Sequence, residues 1–280
     1  MAPKPRISIV GPGRLARALF AALRRAQYEI DEVISKDTKA PRPSEFRTHL
    51  VSMQKASLDA YVVWFCVPDG QIARAAADLA QSANWRGKIA LHSSGALASD
   101  ELVLLRRQGA AVASAHPLMT FVAGSSPSFA GVPFALEGDP SAVRMARRIV
   151  NDLGGTAFPV RKRDKAIYHA WGTAASPLLV AGLVAAERMA EKAGLSARDA
   201  REKMLPMVAQ TIANYAALGP ANAFSGPIVR GDAATLKIHL RALRKLPEVR
   251  DAYMALARVA LRYLPVRNRK QLEKVLGRAR

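Results

Sequence analysis

An α/β fold with a mostly parallel sheet, continued by an all-α C-terminal domain, follows from three features of this 280-residue chain. Short apolar or β-branched runs alternate with helical patterns up to residue 160, at the spacing of βαβ units. One of those runs, residues 59–67, is almost wholly apolar, as a central parallel strand covered on both faces must be. Beyond residue 161 the strand signals stop, and alanine- and leucine-rich helical stretches run over 163–194, 196–218 and 232–265. Two domains are expected, 1–160 and 161–280, since single domains commonly hold ~100–200 residues.

The first strand carries the main signal. Ile7, Ile9 and Val10 lead into Gly11, and Gly13 and Ala16 follow at the spacing G-x-G-x-x-A. Leu15, Leu19, Ala22, Leu23 and Ala26 then keep helical spacing. Strand, tight turn and helix in this order make a pyrophosphate site. Gly11 permits the turn, Gly13 lets a phosphate reach bare backbone N–H groups, and the small Ala16 lets helix and strand pack closely. The N-terminal domain therefore reads as a Rossmann-type dinucleotide-binding domain, with Gly11, Pro12, Gly13, Arg14, Leu15 and Ala16 as cofactor-binding residues. The second strand, 28–35, ends in Ser35-Lys36-Asp37, with Lys39 and Arg42 just beyond. A hydroxyl and a cation suit a ribose 2′-phosphate, whereas an acidic residue would hold the diol. Ser35 and Lys36 thus favour NADP over NAD, an option Asp37 keeps open.

Residues 41–56 read as an irregular connection with a short helix. The apolar strand that follows ends in Val67-Pro68-Asp69, where Asp69 is placed to cap a helix running to about Ser82. A strand over 87–92 breaks at His92-Ser93-Ser94-Gly95; a helix over 99–107 and a strand over 109–115 then lead to His116-Pro117. A strand over 132–136, a helix over 141–152 and a strand over 155–160 complete the domain. An open parallel sheet binds its ligands beyond the carboxyl ends of its strands. Val67 and Pro68 are accordingly expected along the nicotinamide ribose, with His92 among the cofactor-binding residues and Ser93 and His116 facing a substrate. Either histidine is an acid–base group near neutral pH or a satisfied structural residue. Lys165, Tyr168 and His169 share one helix face by their spacing. Lys165 or His169 is then a proton donor; alternatively Lys165 is solvated and Tyr168 belongs to the core. The loop 225–232 is either a substrate wall supplying Arg230 or an interhelical turn capped by Asp232.

Composition narrows the classes. Net charge is +20, but the basic residues are spread along the chain, with one concentration of seven Lys/Arg against Glu273 in 262–280. Solvated helix faces explain this better than a nucleic-acid surface. No apolar run is expected to reach the ~18–20 residues of a membrane span, and the N-terminus has no signal-peptide pattern, so a cytoplasmic location is expected. The single Cys66 excludes an intrachain disulfide and a multi-cysteine metal site. There is no His-Glu-x-x-His pair, P-loop or Gly-x-Ser-x-Gly elbow, so no metal site, P-loop NTPase or α/β-hydrolase is expected.

The ordered set VGPGRLARAL, FCVPDGQI, HSSGAL, HPLMTF, GVPFALEGD, DKAIYHA and SGPIVRGDAAT resembles the Rossmann-like and DUF2520 domain-containing proteins, a resemblance that covers residues 6–263. That family is related to pyrroline-5-carboxylate reductases and, more distantly, to the 6-phosphogluconate and β-hydroxyacid dehydrogenases. The resemblance implies an NADP-type domain followed by a helical substrate and dimerisation domain, in oxidoreductases acting on a small molecule such as an anionic carbonyl or imine compound. In the wider superfamily a helix lysine, here matched by Lys165, is followed along its helix by an asparagine. This chain has Ser176-Pro177 at that place, which leaves a dimer that binds NADP(H) without turnover as the alternative.

Overall fold

The computed structural model describes residues 3–36, 44–122, 124 and 127–277; Asp37, Lys39 and Arg42 lie outside them. Two compact units are present, Met1–Ala175 and Ser176–Arg280. The limit falls after the composition change at 161, because the helix that opens the alanine-rich half buries Lys165 and Tyr168 in the first unit.

The first unit is built on one eight-stranded sheet. Its strands are β1 (Ile7–Val10), β2 (Ile30–Ser35), β3 (Leu50–Ser52), β4 (Val62–Phe65), β5 (Ile89–His92), β6 (Ala111–Pro117), β7 (Pro133–Gly138) and β8 (Thr156–Pro159). Their order is β3-β2-β1-β4-β5-β6-β7-β8, parallel throughout except where β7 meets β6 antiparallel. The expected mostly parallel sheet is therefore present. The short β3 is an addition: residues 41–56 read as irregular, and three partly buried residues make too brief a pattern to announce a strand. The 99–107 segment starts as a 3₁₀ turn, Ser99–Leu102, before helix α3.

Alternation along each strand feeds two cores. Ile7 and Ile9 of β1 and Val62 and Trp64 of β4 pack on one face with α1 (Arg14–Arg25) and α4 (Pro140–Asp152). Val10, Val63 and Phe65 pack on the other with α2 (Ile72–Ala80) and α3 (Val103–Arg107). Successive strands are added outward in one direction from β1 to β3 and in the other from β4 onward, so the parallel β1 and β4 leave a crevice at their carboxyl ends.

Helix α5 (Lys165–Ala175) closes the first unit, and the second unit is helical: α6 (Pro177–Lys192), α7 (Ala197–Ala223), α8 (Pro227–Arg230), α9 (Ala233–Ala242), α10 (Pro247–Tyr263) and α11 (Arg269–Leu276). The single helix expected over 163–194 is two. Pro177 lacks an N–H and disfavours helical geometry in the residue before it, and Ser176 accordingly sits at φ −129°, ψ −81°. Asp232 caps α9 as expected, its carboxylate accepting from Thr235 N at 3.0 Å and from the Thr235 hydroxyl at 2.6 Å. The basic C-terminal segment holds α11, whose Leu272 and Leu276 enter a small core with Leu236, Leu240 and Leu261.

The apolar-run expectation needs correcting. The helical stretch Lys162–Lys192 is long and apolar enough to cross a membrane by length and composition, with mean hydropathy 1.3 and none of its apolar window buried. No Lys, Arg, Asp or Glu interrupts residues 166–186, and alanine, glycine and leucine raise the average. Ser176 and Pro177 divide the stretch into two helices that belong to different units.

Candidate active site

The β1–α1 turn forms the first part of the site. Gly11 has φ +96°, and an added Cβ would stand 2.7 Å from Val67 Cγ1 and 2.9 Å from the Cys66 carbonyl oxygen. Only glycine allows this turn to lie against the end of β4. Gly13 differs: a Cβ there would meet no protein atom closer than 3.8 Å. Its open side faces the start of α1, which has no side-chain cap and no acidic residue in its first turn. The first N–H groups of that helix are thus available to an anion.

A groove of about 390 Å³ runs from this turn, lined by Gly11, Pro12, Gly13, Ser35, Lys36, Val67 and Pro68. Seven of the eleven residues expected at a cofactor are therefore together. Ala16 is fully buried and Leu15 packs against the core, so both shape the turn from below. Arg14 lines a neighbouring cleft on the outer side of α1. Sequence reasoning missed Gln71 and Arg74, which bring α2 into the groove; their i, i+3 spacing next to a strand end is the signal that could have found them. Arg74 and Lys36 supply cations to a groove in which Asp78 is the one acidic residue of the wall among the described residues.

His92 is not available to a ligand. It is 0% exposed, its Nε2 lies 2.9 Å from the Ala98 carbonyl, and its Nδ1 accepts from Ser94 N at 3.1 Å. Burial drives its pKa down to about 4, so the ring is neutral and holds the loop after β5 in shape. The cofactor-binding expectation for His92 is corrected to this supporting role. Asp69 likewise does not cap α2: it opens a 3₁₀ turn, and its carboxylate accepts from the Ser94 hydroxyl at 2.8 Å.

Helix α5 enters above these strand ends. Lys165 is 2% exposed, and its ammonium donates to the Ser94 carbonyl at 2.9 Å and to the Ser114 hydroxyl at 2.5 Å. Burial lowers its pKa to about 8, against the raising pull of Glu137 and Asp69. Lys165 is neither solvated nor open to the crevice, so both readings of it from the sequence give way to a brace between the loop after β5 and strand β6. One turn on, the buried Tyr168 hydroxyl lies 2.7 Å from His116 Nδ1. Burial, reinforced by the Lys165 and His169 charges, pushes His116 down to about 4, and burial raises Tyr168 to about 12. A Tyr168 hydroxyl that donates to Nδ1 leaves the proton of the neutral imidazole on Nε2.

His169 is exposed and stands edge-on to His116, ring centres 5.9 Å apart. Gly95 makes room for both: a Cβ there would lie 2.5 Å from His169 Cδ2 and 2.8 Å from His116 Nε2. Ser93 is partly exposed and accepts from Trp64 Nε1 at 2.8 Å. Ser93, His116 and His169 thus reach solvent at the strand ends, on a frame made by His92, Lys165 and Tyr168. Among the described residues no group of three His, Cys, Asp or Glu side chains is placed to hold a metal ion.

Solved structures share this architecture. The chain is similar to the Bacteroides fragilis protein BF3122, named as a candidate NADP oxidoreductase, with 19% identity, TM-score 0.77 and coverage of 91% of this chain and 97% of that one. It is similar to a reductive aminase from Aspergillus terreus in complex with NADPH and ethyl-5-oxohexanoate, with 16% identity, TM-score 0.69 and coverage of 97% and 99%. An imine reductase from Myxococcus stipitatus in complex with NADP⁺ gives 17% identity, TM-score 0.68 and coverage of 92% and 94%. No curated protein matches the sequence. A Rossmann-like domain matches residues 2–117 and a domain of unknown function, DUF2520, matches residues 132–260. The chain therefore carries a Rossmann-like domain followed by a DUF2520 domain.

Proposed function

We propose that this protein is an NADP(H)-dependent oxidoreductase of the cytoplasm, working as a homodimer through its helical half on a small, anionic carbonyl or imine compound. The carrying observation is the pairing of an uncapped glycine turn with the Lys36 and Arg74 cations in one groove. The turn suits a pyrophosphate, and the two cations suit a 2′-phosphate. The solved relatives that carry NADPH or NADP⁺ support the same reading.

When bound, the nicotinamide supplies the hydride, and the chain supplies orientation and charge. Gly11, Gly13 and the start of α1 would hold the pyrophosphate, with Ser35, Lys36 and Arg74 at the adenosine end and Val67 and Pro68 along the groove. His116 presents its Nε2–H to the oxygen or nitrogen of the substrate, as a neutral imidazole can. Tyr168 fixes that tautomer, and His169 passes a solvent proton to the product. Lys165 keeps a positive charge behind the Ser94 and Ser114 oxygens.

The test is a titration of the purified protein with NADPH and NADH, read by nicotinamide fluorescence. Micromolar NADPH binding with much weaker NADH binding is expected; no binding of either ends this reading. A second reading, NADP(H) binding without turnover, is favoured by the break at Ser176-Pro177 and by the closed position of Lys165. A screen of keto acids and cyclic imines separates the two: consumption of NADPH with any of them rejects the second.

A further inference from the structure

Away from the crevice, the second unit gathers cations that neither the fold nor the proposed reaction uses. Helix α9 turns Leu236 and Leu240 into its core and leaves Lys237 and Arg241 on the other side, four residues apart. Arg244 continues that row through the 3₁₀ turn Leu243–Lys245. These three, with Arg250 of α10 and Lys274 of α11, wall a pocket of about 410 Å³ that has no acidic residue among its lining. Glu248, Asp251 and Glu273 lie on the same helices without lining it.

On α6 and α7 opposite charges pair, as in Arg188–Glu191, Arg198–Glu202 and Arg201–Glu187. Among the described residues none of the five pocket cations is in a salt bridge with a carboxylate. Arg250 adds an independent sign. Its Nε is buried and has no hydrogen-bond partner among the described residues. A buried donor without an acceptor is costly, and on a residue of the pocket wall it offers a place for a ligand oxygen. Three guanidinium groups and two ammonium groups around one concavity match the oxygens of linked phosphates, which accept forked and single charge-assisted hydrogen bonds.

We propose that this pocket is a binding site for a chain of phosphates, carried by a small polyphosphorylated ligand or by a nucleic-acid backbone. It is separate from the glycine-turn groove, which belongs to the other unit.

The experiment is calorimetric titration of the full chain with inorganic tripolyphosphate, with saturating NADPH present so that the glycine-turn groove is not the reporter. One saturable site is expected, weakening as salt is raised from about 50 to 200 mM. The double variant Arg241→Ala/Arg244→Ala removes two exposed cations and should weaken binding about ten-fold or more. Arg188→Ala/Arg198→Ala removes the same charge from paired positions and should leave binding unchanged. Circular dichroism and the melting temperature confirm that both variants fold. Displacement of tripolyphosphate by a short DNA duplex at matched phosphate identifies a backbone as the source; displacement by nucleoside triphosphates alone identifies a small ligand. Absence of tripolyphosphate binding at low salt, or equal weakening by the two double variants, overturns the proposal.

Discussion

His92 and His116 stand at the ends of adjacent strands, yet one is sealed and the other reaches the crevice. His92 gives both nitrogens to backbone groups, whereas His116 gives only Nδ1 to Tyr168. Both rings have pKa values near 4, below the ordinary 6.5, chiefly because burial disfavours the charged form. The unfolded chain therefore takes up protons first as pH falls from 6.5 towards 4. Stability from the neutral rings is complete above 6.5 and is lost as pH drops through the folded values, with a slope of up to ~1.4 kcal/mol per pH unit for each group. Urea unfolding across this range should show that acid loss, and His116→Gln should flatten it; an unchanged slope in the variant would show that His116 is not a source. Gly95 governs the same pair. Gly95→Ala places a methyl against His169 and His116, and a displacement of this kind near reacting groups costs ~10²-fold in rate. Turnover should fall by about that factor while NADPH affinity stays within two-fold of the parent (about 0.4 kcal/mol). An equal loss of affinity would place Gly95 in the cofactor groove instead.

At the scale of the element, the β1–α1 turn contains two glycines with opposite reasons for being glycine. Gly11 has a positive φ and no room for a side chain, so Gly11→Ala should destabilise the fold by ~1–3 kcal/mol, seen as a lower urea midpoint. Gly13 has room on the protein side, so Gly13→Asp should melt near the parent temperature yet abolish NADPH binding by setting a carboxylate where the pyrophosphate would lie. Retained binding in Gly13→Asp would remove the turn from the cofactor site. The turn was legible in the sequence because strand, glycine spacing and helix are all local patterns. The same holds for the sheet, whose apolar runs declare central strands, and for Asp232, whose cap reaches only three residues. The roles of His92, Lys165 and Asp69 were not legible. For Lys165 and Asp69 a partner distant in sequence decides, Ser94 lying 71 residues from one and 25 from the other; the partners of His92 are near, at Ser94 and Ala98, but no spacing within one helix or loop reports whether a side chain points to solvent or inward. Arg74 carried a local signal in its i, i+3 spacing from Gln71, and the packing of α2 is what brings it to the groove.

For the whole molecule, the uncovered apolar surface matters more than the net charge. The α6 and α7 helices leave Leu178, Val180, Met207, Ile212 and Tyr215 more than half exposed, and no part of the apolar window within Lys162–Lys192 is buried. A monomer seldom exposes a contiguous apolar face of this kind. A membrane would have to accept a stretch broken at Ser176-Pro177, with Lys165 already committed to the first unit. A second copy of the chain needs no such rearrangement and buries the same residues at ~25 cal/mol per Å² of apolar area. Sedimentation velocity should therefore give a species of twice the 30.1 kDa chain mass. The double variant Val180→Arg/Ile212→Arg puts unpaired charges into that face, which a buried interface does not accept. It should sediment as a monomer with unchanged NADPH affinity, because the glycine-turn groove lies in the other unit. A parent protein that is monomeric at micromolar concentration would remove the dimer, and partition of the parent into lipid vesicles would assign the face to a membrane.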